Sequence, residues 1–406
     1  MSNTINKIIF LLDVPLDKRF FNLLGVNTLI HNGFDVEIWD FTPFFHKEFI
    51  GKIVIDGHMV FEKCRKFDNK RDIKCALSEI SPNTVVNSII SYRAQSFFIY
   101  HRLSALKIKY CVLQMVSLPP SPPLQKKGSS GFFISVIKRA VSLKPKHVFF
   151  GLCDKALLRY YPLFGIRSAD LALLSGERSL EIARDPIDAK THLIWAHLWD
   201  YDVYINERNN QITADPSVGV FLDEYYPLHT DLDYLGISSP IEADEYYAKM
   251  RTFFDYLEKN YHVRIIIAAH PRSDYPETSD YFGRRPVIKG QTARLVHESS
   301  FVLAHDSISI NFAILFRKPV IFMTMDKMQT CEVGRLTTAL SIEAMASALK
   351  KKPINLDSLQ EFNWIQEIQV DMQSYMTYQN DIIKKNGTPE IPFWEIYIQS
   401  LRQIYP

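Results

Sequence analysis

The 406-residue chain has neither of the glycine-rich phosphate loops most often met in nucleotide enzymes. No GxGxxG and no GxxxxGK[ST] occurs in it, which argues against a dinucleotide enzyme and against a P-loop NTPase. Its five cysteines, Cys64, Cys75, Cys111, Cys153 and Cys331, are scattered, odd in number and never spaced CxxC. Neither a disulfide framework nor a zinc site is indicated, and a reducing cytoplasm is the expected compartment. Charge of one sign is also lacking: the formal net charge is +2, so there is no global nucleic-acid signature and no nucleic-acid partner is expected. No apolar run is long enough to cross a bilayer. The first, Ile8 to Leu12, follows Met1–Lys7 without a signal-peptide layout, so the mature chain is expected to start near Met1.

What is present is core-forming. Hydrophobic residues make up 47% and aromatics 13%, enough for two domains of roughly 200 residues each. Lys7 to Leu12 reads as a strand, Arg19 to His31 as a helix stopped by Gly33, and Val36 to Trp39 as a second strand, a βαβ opening that usually starts a doubly wound α/β sheet. Further strands are expected at 52–55, 84–90, 110–114, 148–151, 170–174 and 192–195. The polar stretch Asn206–Gln211 reads as a linker, after which the alternation resumes with a strand at 218–222, a helix at 241–261 and strands at 264–269, 301–304 and 319–323. The expected organisation is one α/β domain over 1–210, a second over 211–380, and a terminal segment, 381–406, with an amphipathic helix that packs back toward the first domain. Between the proline-rich run 117–123 and residue 146, Lys126, Lys127, Lys138, Arg139, Lys144 and Lys146 share a stretch without acidic residues. It reads either as a basic amphipathic helix resting on anionic lipid, at the cytoplasmic face of an inner membrane, or as an ordinary surface helix with a solvated basic face.

The chemistry-bearing residues gather at strand ends. Five apolar residues lead into His270-Pro271-Arg272; the proline ends the pairing and fixes the turn, holding an imidazole at the carboxyl edge of a sheet, where it can donate to a departing phosphate oxygen. A second apolar strand runs into His305-Asp306-Ser307-Ile308-Ser309 and then a helix. Ser307 is expected as the N-cap, and Ser307 and Ser309 as phosphate ligands beside free backbone N–H groups, although capping alone explains Ser307 equally well. Asp306 repels phosphate and is expected to orient either His305 or an acceptor hydroxyl. Asp223 and Glu224 close the strand 218–222, where a carboxylate base would serve an inverting transfer; His229 and Asp231 compete for that role, and the shorter Asp223 is preferred as the more rigidly held. Gly290 and Thr292 open another helix and are weaker nucleotide contacts. Asp13, Arg19 and His229 are the acceptor-side candidates, with ordinary loop solvation as the bland alternative.

This set of motifs, an acidic pair after the second domain's first strand, a strand ending in His-Pro and a serine-bearing strand-to-helix turn, resembles bacterial GT-B sialyltransferases and polysialyltransferases. It is also similar to related capsule and lipopolysaccharide transferases that use CMP-activated sugars. The resemblance covers mainly 218–325. It implies two Rossmann-like domains, a metal-independent inverting glycosyltransferase, Asp223 or Glu224 as base, His270 protonating the CMP phosphate, and Ser307 with Ser309 binding it. No cofactor is implied beyond the nucleotide-sugar donor, with CMP as leaving group, a nonulosonic or ulosonic acid as the sugar, and a glycan or lipid-linked glycan as acceptor. Two departures stand out: Tyr225 follows the acidic pair where those families often place Gly, and the hydroxyls are spaced Ser-Ile-Ser. The His-Pro strand, the Asp-Ser turn and Lys318-Pro319 also resemble teichoic-acid-type CDP-glycerol phosphotransferases. A catalytically inactive nucleotide-sugar-binding assembly protein would keep the same fold without the base.

Overall fold

The computed structural model describes residues 4–47, 59–116, 118–119, 154–181, 185–210, 212–229, 238–276, 280–331, 338–359 and 362–406. The strands expected at 52–55 and 148–151, the basic stretch from Lys126 to Lys146, and Asp231 lie outside the described residues. The chain divides into two compact units, one of residues 1–115, 123–197 and 387–406, the other of 116–122 and 198–386. It passes between them at His197 and Leu198, upstream of the polar stretch Asn206–Gln211. The polarity there is that of a solvated helix end, since Asn206 and Glu207 finish the helix Trp199–Glu207.

The first unit carries seven strands: β1 (Lys7–Leu12), β2 (Asp35–Asp40), β3 (Cys64–Lys66), β4 (Thr84–Ser88), β5 (Lys109–Gln114), β6 (Leu171–Leu174) and β7 (His192–Trp195). They form one sheet in the order β3-β2-β1-β4-β5-β6-β7, parallel throughout. The second unit repeats the pattern with β8 (Val218–Leu222), β9 (Arg264–Ala269), β10 (Val287–Lys289), β11 (Phe301–Ala304), β12 (Val320–Thr324) and β13 (Ile354–Asn355). Its order is β10-β9-β8-β11-β12-β13, again parallel. The central strands are apolar without alternation, as sheets covered on both faces require; every residue of β8, β11 and β12 is buried.

The single helix expected over 19–31 is two, Lys18–Leu23 and Val26–His31, separated by Gly25 at φ +58°. The cause lies far along the chain. A Cβ on Gly25 would stand 2.1 Å from the Trp394 ring, so only glycine lets this ring seat. Trp394 belongs to the helix Phe393–Ile404, which packs within the first unit. Its indole N–H donates to the Leu23 carbonyl at 2.7 Å, its ring meets Phe10 edge-on at 5.5 Å, and Tyr397 donates to the Asn87 amide oxygen at 2.6 Å. Trp394→Ala is expected to destabilise the first unit by about 3 to 5 kcal/mol, with Gly25→Ala also destabilising because ring and Cβ compete for one volume. Chemical denaturation of the full chain checks this; an unchanged midpoint in both variants would refute the close approach.

Candidate functional site

In a doubly wound sheet, ligands bind outside the carboxyl ends of the strands where the order reverses. In the second unit that switch falls between β8 and β11. The register pairs Leu222 with Ala268 of β9 and with Ala304 of β11. Continued by two residues, it brings Glu224 level with His270 on one side and with Asp306 on the other. Three residues singled out from separate stretches of sequence thus meet at one height of one sheet edge.

Asp223, the preferred base, is held by a set of donors at the end of β8. It is 4% exposed, and its carboxylate accepts hydrogen bonds from the His270 amide at 3.1 Å, the Tyr225 amide at 2.9 Å and the Tyr275 hydroxyl at 2.9 Å. Burial raises its pKa, and these donors partly offset the rise. This carboxylate ties the loop together, because its short side chain turns back onto the backbone that follows it. The anchored turn puts Tyr225 at φ +57°, a left-handed conformation that glycine adopts at no cost. Tyrosine is held there by its edge-on contact with Tyr275 at 5.2 Å. Tyr275 went unrecognised in the sequence because it lies in the irregular Ser-Asp-Tyr-Pro segment, which has no periodicity to read.

Glu224 and Asp306 form a carboxyl pair. Glu224 Oε1 is buried and meets no ordinary donor, while its carboxyl lies within hydrogen-bonding reach of Asp306. Two buried carboxylates side by side cannot both ionise. Burial, then the Asp306 charge, push Glu224 well above the usual carboxylate range. Burial also raises Asp306, with Glu224, its own backbone amide, His229 and Ser341 acting in the opposite direction. The pair therefore resists ionisation of both members at once, and burial together with the Asp306 charge keeps Glu224 on the side of the protonated form. Asp306 does not orient His305. That histidine is fully buried, with Nδ1 2.8 Å from the Met323 carbonyl and Nε2 3.0 Å from the Tyr246 hydroxyl, and burial lowers its pKa to about 4.

His270 sits where β9 ends, as its position after the apolar run implied. Its Nδ1 accepts the Arg272 amide N–H at 3.2 Å, which leaves the ring proton on Nε2 as a directed donor. Arg272 itself is exposed. His229, grouped with the acceptor-side candidates from sequence, lies in this unit, its ring centroid 4.9 Å from that of His270. Ser307 is not the helix cap: the helix is Ile310–Leu315, Ser309 occupies the N-cap without a side-chain capping bond, and Ser307 Oγ accepts the Ser309 amide at 3.3 Å. Gly290, exposed at φ +79° with open space around it, follows β10, and Thr292 begins the helix Thr292–Glu298. In the first unit, Asp13 follows β1; burial raises its pKa, and His46 and Arg93 nearby counteract this. Arg19 lies exposed on the following helix. Among the described residues no group of three or more His, Cys, Asp or Glu could hold a metal ion, and no helix is long and apolar enough to cross a membrane.

No family model matches the sequence, and neither does any curated protein. Solved structures resemble it in backbone. The wall teichoic acid polymerase TagF aligns with a TM-score of 0.50 at 10% identity, over 100% of this chain and 91% of that one. The glycotransferase of kitacinnamycin aligns with a TM-score of 0.50 at 10% identity, over 99% of this chain and 100% of that one. At such identity the likeness is one of fold, and with two parallel sheets of Rossmann order that fold is GT-B.

The carboxyl pair makes stability depend on pH with a definite sign. A group whose pKa is raised by folding stabilises below its ordinary range and loses that contribution as pH rises through the raised value. Glu224→Gln removes this titration while keeping an N–H donor toward Asp306. The variant's melting temperature is therefore expected to gain on the wild type from acid through neutral to alkaline pH. Parallel melting curves across that range would show that Glu224 is not held toward its protonated form.

Proposed function

We propose that this chain is a nucleotide-sugar-dependent GT-B transferase whose donor leaving group sits at the carboxyl edge of the second sheet. CMP is the proposed leaving group and a nonulosonic or ulosonic acid the transferred unit, moved with inversion at the anomeric carbon to a surface glycan acceptor. The observation that carries this reading is His270: an imidazole whose Nδ1 accepts a backbone N–H, leaving Nε2–H as donor, at the carboxyl end of β9, the strand beside the topological switch of a Rossmann-order sheet. The acceptor hydroxyl oxygen bonds to the anomeric carbon and gives its proton to a carboxylate base, for which Asp223 and Glu224 are the proposed candidates, as the bond from that carbon to the phosphate oxygen breaks and its electron pair stays on that oxygen. A preorganised N–H donor stabilises the charge that develops there. The Ser307 and Ser309 hydroxyls, Arg272, Gly290 and Thr292 are the proposed further contacts of the nucleotide and its phosphate, and Asp13 and Arg19 those of the acceptor.

The same leaving-group chemistry serves a CDP-activated polyol phosphate, the donor class implied by the resemblance of the His-Pro strand, the Asp-Ser turn and Lys318-Pro319 to teichoic-acid-type phosphotransferases. Product analysis separates the two, since one transfers a glycosyl unit and the other a polyol phosphate. Lipid-surface contact through the basic stretch 126–146 is proposed from its sequence alone.

A thermal-shift screen of CMP, CDP, UDP and GDP tests the nucleotide, because a ligand bound to the folded state raises the melting temperature. The largest rise is expected with CMP or CDP; a preference for UDP or GDP would overturn the cytidine assignment. In a transfer assay with a CMP-ulosonic acid donor, His270→Ala is expected to lower turnover by roughly 100-fold. Tight CMP binding without turnover of any donor would identify a nucleotide-sugar-binding protein in place of an enzyme.

A further inference from the structure

In the first unit, the helix Lys70–Ser78 sorts its charges by helical spacing. Ile73, Ala76 and Leu77 are buried in the core of that unit. Lys70, Arg71, Lys74 and Ser78 share one flank with Arg102 of the helix Phe97–Ala105, around a recess of about 450 Å³ that has no carboxylate in its wall. Asp72 and Glu79 fall on the opposite flank, beside Arg65 and Lys66, as residues that are not three or four apart on a helix must. The recess is held in shape by neutral contacts. Arg102 donates to Ser78 Oγ at 2.7 Å, and the Lys70 ammonium rests 4.6 Å over the Phe98 ring. Among the described residues none of these four cations has an ion-pair partner.

The charge bias extends beyond the recess. From Ile80 to Cys153 the sequence contains no Asp and no Glu. On the other side of the helix Phe97–Ala105 stands an apolar projection. Phe97 meets Phe164 edge-on at 6.4 Å and the His101 ring at 5.8 Å, which ties that helix to the turn Tyr161–Phe164. Leu163 in this turn is 82% exposed, with Phe164 at 45% and Tyr160 at 48%. The Arg159 guanidinium lies 5.7 Å over the Tyr160 ring. The acidic residues that bracket this segment are engaged, Asp154 with the Ala94 amide at 2.7 Å and Asp170 with Arg167 at 2.7 Å. An apolar tip of this size beside cations marks an interaction surface. A soluble polyanion would engage the cations and leave the leucine in water, whereas an anionic bilayer interface takes both.

We propose that the face of the first unit formed by the helices Lys70–Ser78 and Phe97–Ala105 and the turn Tyr161–Phe164 rests on an anionic lipid surface. Lys70, Arg71, Lys74 and Arg102 meet headgroup phosphates, and Leu163 and Phe164 enter the boundary between headgroups and acyl chains. This goes beyond the leaving-group reading and does not depend on it, and it uses residues outside the stretch 126–146.

Sedimentation of the full chain with lipid vesicles tests the face directly. Binding is expected with vesicles of phosphatidylcholine mixed with phosphatidylglycerol, is expected to be absent with phosphatidylcholine alone, and should weaken as salt is raised. The double variant Arg71→Ser, Lys74→Ser should bind about 25-fold more weakly, from about fivefold per cation. Leu163→Ser with Phe164→Ser should bind about tenfold more weakly while keeping the salt dependence. All four positions are exposed, so the melting temperature should not change; should Phe164→Ser lower it, Leu163→Ser alone gives the reading. The stabilisation that CMP confers should be equal in wild type and variants, so that failure of the nucleotide assignment is read apart from failure of this one. Binding to neither vesicle or equally to both overturns the proposal, as does binding that the variants leave unchanged, the result expected if the stretch 126–146 alone makes the contact. Loss in the cation variant without loss in the apolar one, or binding of a soluble anionic polysaccharide without binding of vesicles, identifies a polyanion surface and overturns it too.

Discussion

The site depends on one buried carboxylate. Asp223 accepts three hydrogen bonds, one from the backbone of its own turn, one from the backbone of His270 and one from Tyr275. These ties fasten the end of β8 to the loop that leaves β9. They fix the height at which His270 emerges, hold Tyr225 in its left-handed conformation and leave Glu224 as the next residue, level with Asp306. A charged acceptor that satisfies three donors in a buried setting is worth more than its geometry alone suggests, because each donor would otherwise be orphaned. The ionisable groups of the edge, Glu224, His270 and Asp306, thus stand beside or across from this anchor.

Much of this was legible in the sequence, for identifiable reasons. Strands buried on both faces are continuous apolar runs, so β1, β9 and β11 could be read to their last residue, and His270 follows directly from the end of such a run. The acidic pair was legible as a pair, but its members were not separable. Whether an aspartate turns back onto its own backbone depends on donors from a distant loop, here His270 and Tyr275. Nor could the sequence join Glu224 to Asp306. Their contact exists because β11 lies beside β8 while β9 and β10 lie on its other side, a fact of strand order and not of local pattern. The short edge strands β3 and β10 bury too little to leave a signal. The helix break at Gly25 was hidden because its cause, Trp394, is distant in sequence.

The two sheets share one strand order at their cores, yet they are finished differently. In the second unit the switch point is lined by buried carboxyl groups, Glu224 and Asp306, whose pKa values burial raises. In the first, the carboxyl end of β1 offers Asp13 among His46 and Arg93, a sparser arrangement. The same topology therefore presents two chemically distinct edges, one built around three buried carboxyl groups, the other around a single carboxyl with His46 and Arg93 nearby.

The seating of Trp394 against Gly25 also bears on biosynthesis. A ribosome delivers β1 through β7 long before the helix Phe393–Ile404, so the groove at Gly25 stands uncovered while the whole second sheet is being made. Units ordinarily fold in the order in which they emerge, but here the earlier sheet receives its covering helix last. During that interval the nascent chain carries an exposed apolar face at Gly25, which closes only once the helix Phe393–Ile404 has been made.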